Sequence, residues 1–406
     1  MCGIAGKATT GAPVEAELLD RMCLALRHRG PDSRGVHLEG PVALGIQRLA
    51  IIDLVTGEQP FYTEDRSAVL VLNGEVYNHE ELREELMGRG HRFVSRSDAE
   101  VVVHLWEEMG ERCVERLRGM FAFAIWDERR GELFLARDRI GKKPLFYALT
   151  GDALVFGSEP RAVLQDPAVS REVDLAAIDA FLVNQYVPHG RSAFAHLRKL
   201  PPAGRLTWRP GGEPRVDRWW RLEYGPKERV GRADAAERLR HEILEATRLR
   251  MRSDVPLGAF LSGGVDSSVV VAAMAQLSGE PVRTFTVAFP GTPVDESRFA
   301  RMVAEHYGTE HHELAVEEPD ASMLPLLAWH FGEPFADPAA LPTYQLSELI
   351  RGHVTVALNG DGGDESFAGY ERYRQLVATL GADATPAGAR RAVAAALARA
   401  AGGTEG

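Results

Sequence analysis

Cys2 stands beside Met1, and methionine removal is expected before so small a residue, leaving a thiol and a free α-amine on one residue. The reference pKa of such an amine, about 7.7–8.0, lies close to that of a thiol, about 8.5, so the amine can take the thiol proton at little cost. Nucleophile and base would then share one residue. A second constellation, Ser262-Gly263-Gly264-Val265-Asp266-Ser267-Ser268, follows the apolar run Leu257–Leu261 and opens a helical pattern. Two glycines let a backbone approach an anion, a helix N-terminus offers N–H groups with a favourable dipole, and Ser262, Ser267 and Ser268 add hydroxyl donors. Phosphate suits such a loop. Asp266 would repel it unless a metal stood between them, which makes Asp266 a candidate Mg2+ ligand. A second acidic loop, Asn359-Gly360-Asp361-Gly362-Gly363-Asp364-Glu365, follows Val354–Leu358, and Asp266 with Asp364 is the expected metal pair. The first loop lacks the lysine of a Walker A motif, and the second has Glu365 where a dinucleotide fingerprint needs glycine.

These groups need elements to position them. Up to about residue 208, Val42–Leu49, Ala68–Asn73, Met120–Trp126, Glu132–Ala136 and Ala153–Phe156 read as strands, while Glu15–Leu26 and Ala99–Glu108 carry helical spacing. This half reads as an α+β layered domain, 1–208. Residues 209–232, rich in Pro, Gly and charge, read as a linker. From 233 onward, Asp234 is expected to N-cap a helix with Ala236, Leu239, Ile243 and Ala246 on one face. Leu257–Leu261, Arg283–Phe289, Glu313–Val316 and Val354–Leu358 then read as strands, with helices at Ser267–Leu277 and Glu296–Tyr307 between them. Such alternation predicts an α/β domain with a parallel sheet. The stretch Arg374–Gly406 is dominated by Ala, Gly and Arg without a closing core element, so a chain cut short inside this domain is the expectation and a frayed terminal helix the alternative.

Composition bounds the function. With 406 residues, 45% of them hydrophobic, the chain has room for two or three cores. A net charge of −11 disfavours nucleic acid as a partner, since that requires a cationic face. Three cysteines form no disulfide framework and suit a reducing compartment, and Cys23 and Cys113, inside helical patterns, read as small core residues. The start has no signal-peptide pattern and no apolar run approaches the roughly 18 residues of a membrane span, so a cytoplasmic protein with no membrane partner is expected.

The motifs Met1-Cys2-Gly3-Ile4-Ala5-Gly6, Arg27-His28-Arg29-Gly30-Pro31-Asp32, Arg48-Leu49-Ala50-Ile51-Ile52-Asp53, Asn73-Gly74-Glu75-Val76-Tyr77-Asn78 and Ser97-Asp98-Ala99-Glu100 occur in that order. They resemble the class II glutamine amidotransferases, whose fold is an N-terminal-nucleophile αββα sandwich. The resemblance implies that Cys2 attacks the glutamine side-chain carbonyl while Asn73 and the Gly74 amide hold the oxyanion. Arg48 would pair with the substrate carboxylate, Leu49, Ala50, Ile51 and Ile52 would line the site, and Asp98 with Glu75 would hold the α-ammonium. The S-G-G-x-D-S-S loop resembles the PP-loop of ATP pyrophosphatases, which cleave ATP between its α- and β-phosphates.

Together the two halves resemble the glutamine-hydrolysing asparagine synthetase family over about residues 1–373. By that resemblance Leu261, Ser262, Gly263, Gly264, Val265, Asp266, Ser267, Ser268, Val287, Asn359 and Gly360 contact ATP, and Asp361 acts on the aspartyl intermediate. Asn359 replaces a family Ser and Asp361 a family Glu. Family members also continue into a helical segment supplying a catalytic Lys, without counterpart here. The expected substrates are glutamine, aspartate and ATP with Mg2+; family members are often dimers, so a homodimer stays open. Alternatives are amidation of another carboxylate, or a chain that hydrolyses glutamine or binds ligands without ligation; the acidity weighs against tRNA modification.

Overall fold

A computed structural model describes residues 1–288, 295–315 and 321–383. They form two compact units: Met1–Leu257 with Leu314–Val356, and Gly258–Glu313 with the chain from Ala357 onward.

The strands of the first unit are β1 (Gly3–Thr9), β2 (Ser33–Glu39), β3 (Val42–Arg48), β4 (Phe61–Tyr62), β5 (Ala68–Val76), β6 (Gly119–Asp127), β7 (Glu132–Arg137), β8 (Phe146–Thr150), β9 (Ala153–Gly157), β10 (Arg198–Lys199), β11 (Gly204–Trp208) and β12 (Arg215–Arg218). They make two six-stranded sheets, ordered β10-β8-β9-β1-β3-β2 and β12-β11-β7-β6-β5-β4. Helices α1 (Ala16–Leu24), α2 (His79–Gly88), α3 (Glu100–Met109), α4 (Cys113–Arg116), α5 (Pro160–Val163), α6 (Leu175–Asn184) and α7 (Arg232–Arg250) accompany them.

Two-residue alternation assigns each strand's side chains to two different cores. In β5, Val69 and Val71 face the layer between the sheets with Ile4, Leu44, Ile46, Ala122 and Ala124. Leu70 and Leu72 point the other way, against Leu82 and Leu86 of α2 and Val102, Leu105 and Trp106 of α3. The outer face of the first sheet packs Ala5 and Ala43 against Leu18, Leu19, Met22 and Cys23 of α1. The layers therefore run helix, sheet, sheet, helix, the expected αββα sandwich. Because central strands are covered on both faces, they read as continuous apolar runs.

Strands β1 and β2 were not among the expected ones. Gly3-Ile4-Ala5-Gly6 has little β propensity and is strand through two-sided pairing, and β2 is a half-exposed edge. Residues 209–232 contain β12, which pairs with β11, and Trp219 packs on the outer core, so this stretch begins as part of the sheet. Helix α7 starts two residues before Asp234: Gly231 is its N-cap, Asp234 lies in the first turn, and Leu239 is exposed, only the C-terminal end being buried at Thr247 and Leu249. Cys23 and Cys113 are buried as expected.

Within the second unit, β13 (Leu257–Phe260) leads through α8 (Val265–Leu277) to β14 (Arg283–Ala288), then through α9 (Ser297–Tyr307) to β15 (Glu310–Ala315), and β16 (Val356–Leu358) follows later. The order is β15-β14-β13-β16, and β13 and β14 are parallel. Phe289 and Val316, expected at strand ends, and residues 384–406 of the terminal stretch lie outside the described residues; Glu371–Asp383 is helical. Among the described residues no helix is long and apolar enough to cross a membrane.

Leu70, fully buried against α2 and α3, should be costly to truncate. Leu70→Ala is expected to lower stability by about 2–5 kcal/mol, and Leu38→Ala on the exposed face of β2 by no more than about 0.5 kcal/mol. Urea denaturation followed by far-UV circular dichroism checks the pair.

Candidate functional site

Cys2 sits just before β1. The Leu49 N–H donates to its Sγ at 3.4 Å, the thiol faces Leu49 O at 3.6 Å, and Arg29 Nε donates to Cys2 O at 2.9 Å. Burial pushes the thiol above its ordinary pKa, opposed by the nearby amino terminus, the Leu49 amide and Arg48. Burial also brings the Met1 amine down to about 5.

Asn73 and Gly74 lie inside β5, opposite Ala122 and Phe121, where the pair read alone would suggest a turn. Asn73 is fully buried, yet neither Oδ1 nor Nδ2 has a hydrogen-bond partner. Such a group costs roughly 1–3 kcal/mol if nothing ever binds it. Gly74 has φ +151°, and a Cβ there would lie 2.1 Å from Met120 O, so only glycine fits.

Arg48, buried at the end of β3, donates to Glu58 Oε1 at 3.0 Å, Ile52 O at 3.1 Å and Asp53 O at 2.7 Å. A substrate carboxylate would share or displace Glu58, whose side chain is 54% exposed. Asp98 is buried and accepts the Val76 N–H at 2.7 Å. Burial raises its pKa, and raises that of neighbouring Glu75 to about 7, with the Asp98 charge adding to the second shift. Lys143 was not visible in the sequence reading; it contacts Met1 Sδ at 2.7 Å, and burial lowers it to about 8.

The loop of Leu49, Ala50, Ile51 and Ile52 is half-buried and braced from three sides. Asp32 Oδ2 accepts the Ala50 N–H at 2.9 Å, Asp254 Oδ2 the Asp53 N–H at 2.7 Å, and Asp53 Oδ2 the Arg96 N–H at 2.7 Å, two residues before Asp98. Thus Cys2, Arg48, Leu49, Glu75 and Asp98 come together. Asp53 and Asp254 position that loop; Asp53 stood in a quoted motif, whereas nothing in the spacing pointed to Asp254 or Lys143.

In the second unit, Ser262, Gly263 and Gly264 connect β13 to α8. Ser262 and Ser267 hydroxyls lie 3.0 Å apart, Gly264 N–H donates to Ser262 Oγ at 3.2 Å, and Ser268 Oγ donates to Gly264 O at 2.7 Å. Gly263 has φ +83°, and a Cβ on it would strike Ala300 N at 2.5 Å. Val265 is exposed in the first turn. Leu261 is buried and tied to β14, its N–H donating to Phe285 O at 2.9 Å and its carbonyl accepting from Thr286; Val287 is half-buried further along β14.

Strands β13 and β16 are sheet neighbours, and the loops that follow them meet. A Cβ on Gly360 would lie 2.7 Å from Ser267 N, and one on Gly363 2.2 Å from Asp266 Oδ2. Ligands of open α/β sheets bind in such crevices. Asn359 Nδ2 donates to Asp361 Oδ2 at 2.6 Å, so the two residues that depart from the family pattern pair with each other. Among the described residues the Asp266 carboxylate has no ion pair, and it faces the backbone just before Asp364 in the first turn of the next helix. The Asp364 carboxylate itself lies against Gly369, where a Cβ would be 1.8 Å from its Oδ1; both residues offer the hard oxygen donors that Mg2+ takes.

Glu75 yields a pH test. Its folded-state pKa is raised from 4.5 to about 7, so folding binds its proton; that contribution is complete below pH 4.5 and lost as pH rises through about 7. Lys143, lowered from 10.5 to about 8, acts in the window above. Glu75→Gln should therefore gain stability relative to the unsubstituted chain between about pH 4.5 and 7, then hold a constant margin. Urea midpoints of both at each pH measure it; a margin independent of pH would refute the buried-carboxylate account.

Residues 1–220 match the family described as glutamine amidotransferase domain, and residues 238–404 that described as asparagine synthase. Asparagine synthetase (glutamine-hydrolyzing) 1 of Bacillus subtilis is 36% identical over 96% of this chain and 62% of its own. A Methanocaldococcus jannaschii protein provisionally named asparagine synthetase (glutamine-hydrolyzing) 2 is 34% identical over 91% of this chain and 76% of its own. Amidase chyE of Penicillium rubens is 32% identical over 92% of this chain and 60% of its own. The chain thus spans somewhat under two thirds of the length of the Bacillus subtilis relative, and it belongs to the glutamine-hydrolysing asparagine synthetase family.

Proposed function

We propose that this chain hydrolyses glutamine at Cys2 and uses the ammonia to amidate a carboxylate activated by ATP, with aspartate as acceptor and asparagine, AMP and pyrophosphate as products. The observation that carries the glutamine half is the buried, unpartnered amide of Asn73 in the strand facing the Cys2 layer. An amide left unsatisfied at rest and satisfied by a developing oxyanion stabilises the transition state selectively. After Met1 removal the Cys2 amine takes the thiol proton, and sulfur adds to the glutamine side-chain carbonyl. Asn73 Nδ2 and the Gly74 amide receive the oxyanion, the amine returns the proton to the departing nitrogen, and water hydrolyses the thioester. Glu75 and Asp98 would meet the substrate ammonium and Arg48 its carboxylate.

For the ligase half, the loop of Ser262, Gly263 and Gly264 with Ser267 and Ser268 would cradle phosphate, and Leu261, Val287 and Gly360 would bound the adenosine. Mg2+ held by Asp266 and Asp364 would neutralise phosphate charge. The acceptor carboxylate attacks the α-phosphorus, expelling pyrophosphate, and ammonia then displaces AMP from the acyl carbon. Asp361, held by Asn359, would stand beside that intermediate. The glutamine site is assigned to residues 1–208 and the ligase site to the chain from 233, in a cytoplasmic protein acting on small molecules, with a homodimer consistent with the family.

A second reading keeps the chemistry and changes the acceptor. The mutual hydrogen bonds of Asn359 and Asp361 favour it, because they alter the contacts next to the acyl group, and one relative bears the name of an amidase.

Pyrophosphate release separates these readings. With ATP and Mg2+, aspartate should stimulate release when either ammonia or glutamine is present, and Cys2→Ala should lose only the glutamine-supported part. Glutamine hydrolysis without aspartate-dependent pyrophosphate would withdraw aspartate as the acceptor. Asn73→Ala should lower kcat for glutamine hydrolysis by about 10²–10³-fold with the ammonia-supported reaction intact. Steady-state assays of both reactions on that variant check the oxyanion role.

A further inference from the structure

Away from Cys2, four side chains of the first unit converge: Glu64 after β4, His91 after α2, and His104 with Glu107 one turn apart on α3. One ligand atom from each lies within 4.8 Å of the others. His91 Nδ1 is 3.2 Å from Glu64 Oε1 and 3.7 Å from Glu107 Oε2, and His104 Nδ1 is 3.3 Å from Glu64 Oε2. A tetrahedral ion with ligands at about 2.0–2.1 Å sets its donors roughly 3.3–3.4 Å apart, so these spacings suit one centre.

Two further observations point to a ligand. His104 is 1% exposed, and neither ring nitrogen makes a hydrogen bond. With Nδ1 of each histidine turned to the cluster, each Nε2 faces a carboxylate outside it: Glu108 at 3.2 Å from His91 and Glu100 at 3.8 Å from His104. For His91 that is the carboxylate–histidine–metal arrangement, in which a hydrogen bond to the outer carboxylate fixes the tautomer; Glu100 stands beyond hydrogen-bond distance of His104. Glu100 is itself held by the Val94 and Ser95 N–H groups and by the Ser95 hydroxyl.

We propose that Glu64, His91, His104 and Glu107 bind one divalent transition-metal ion of the zinc type, which ties the turn after β4 and the segment after α2 to α3. Two imidazoles and two carboxylates suit Zn2+ or Co2+ over Mg2+ or Ca2+. Asp98 lies two residues before α3, so the ion braces the helix whose start carries part of the glutamine site.

The test uses the full chain carrying Cys2→Ala, so that the thiol cannot capture metal, stripped with a chelator and titrated with Co2+ and then Zn2+. One equivalent should bind, with cobalt d–d bands of a four-coordinate site, no thiolate charge-transfer band and a raised melting temperature. His91→Ala and Glu107→Gln should each weaken Zn2+ binding at least tenfold while leaving the metal-free circular dichroism unchanged. Glu107→Gln keeps the side-chain shape at a position 32% exposed, so it stays informative if His91→Ala folds poorly. Absence of stoichiometric binding, or equal binding by folded Glu107→Gln, overturns the site.

Discussion

The pairing of β1 on both edges holds the first site together. Gly3 registers with Gln47 of β3, Ala5 with both Gly45 of β3 and Gly157 of β9, and the strand cannot shift without breaking two ladders. Its first residues are tied again: Ser158 Oγ accepts the Ile4 N–H at 3.0 Å, Ser158 N–H donates to Ile4 O at 2.8 Å, and Arg29 reaches the Cys2 carbonyl. Arg29 is positioned in turn by buried Glu159, which also meets His28 and Arg161. A residue next to a chain terminus ordinarily frays. Here it is fixed at the head of an interior strand of a sheet, the rigidity that the proposed attack of its sulfur on a carbonyl would need.

Electrostatics then distinguishes this rigid place. Glu75 and Asp98 are carboxylates whose pKa values burial pushes up, the Asp98 charge adding to the Glu75 shift, so the ionised pair is costly while no cation is near. Under the proposed reading, an entering α-ammonium would offset that repulsion, and a simple amide lacking one would not. Arg48 is already satisfied by Glu58 and two carbonyls, so the carboxylate end of a ligand gains less there than the fork of an unengaged arginine would provide. If the proposed glutamine roles hold, discrimination would reside more at Glu75 and Asp98 than at Arg48.

The sequence exposed the parts of this design that depend on local order. Cys2, the Asn73-Gly74 pair and the S-G-G-x-D-S-S loop are contiguous, and the doubly covered strands β5, β6 and β7 are unbroken apolar runs. Features created by long-range packing were hidden. That Asn73 lacks a partner depends on what surrounds β5, and β1 is a strand only because β3 and β9 flank it. Trp219 and β12 made a Pro- and Gly-rich stretch part of a sheet, through pairing that composition does not encode. Of the histidine–glutamate cluster, only the His104–Glu107 helical spacing was local enough to be read; Glu64 and His91 arrive from separate turns.

The same long-range dependence sets how much chain the first site needs. The loop beside the Cys2 thiol is held by Asp254, whose N–H also donates to Ile51 O at 2.9 Å, and Asp254 lies beyond residues 1–220. Arg161, one of the cations around Glu159, stacks at 3.7 Å over Trp329, whose helix belongs to the returning segment Leu314–Val356, and Lys199 pairs with Glu333 of the same segment. Removing those residues would leave Arg161 without its ring and the 49–53 loop without one of its braces, while every side chain assigned to the chemistry remained. The positioning of the glutamine site is thus distributed over more of the chain than its reacting groups are, and the part that positions includes residues that sequence order assigns to the other half.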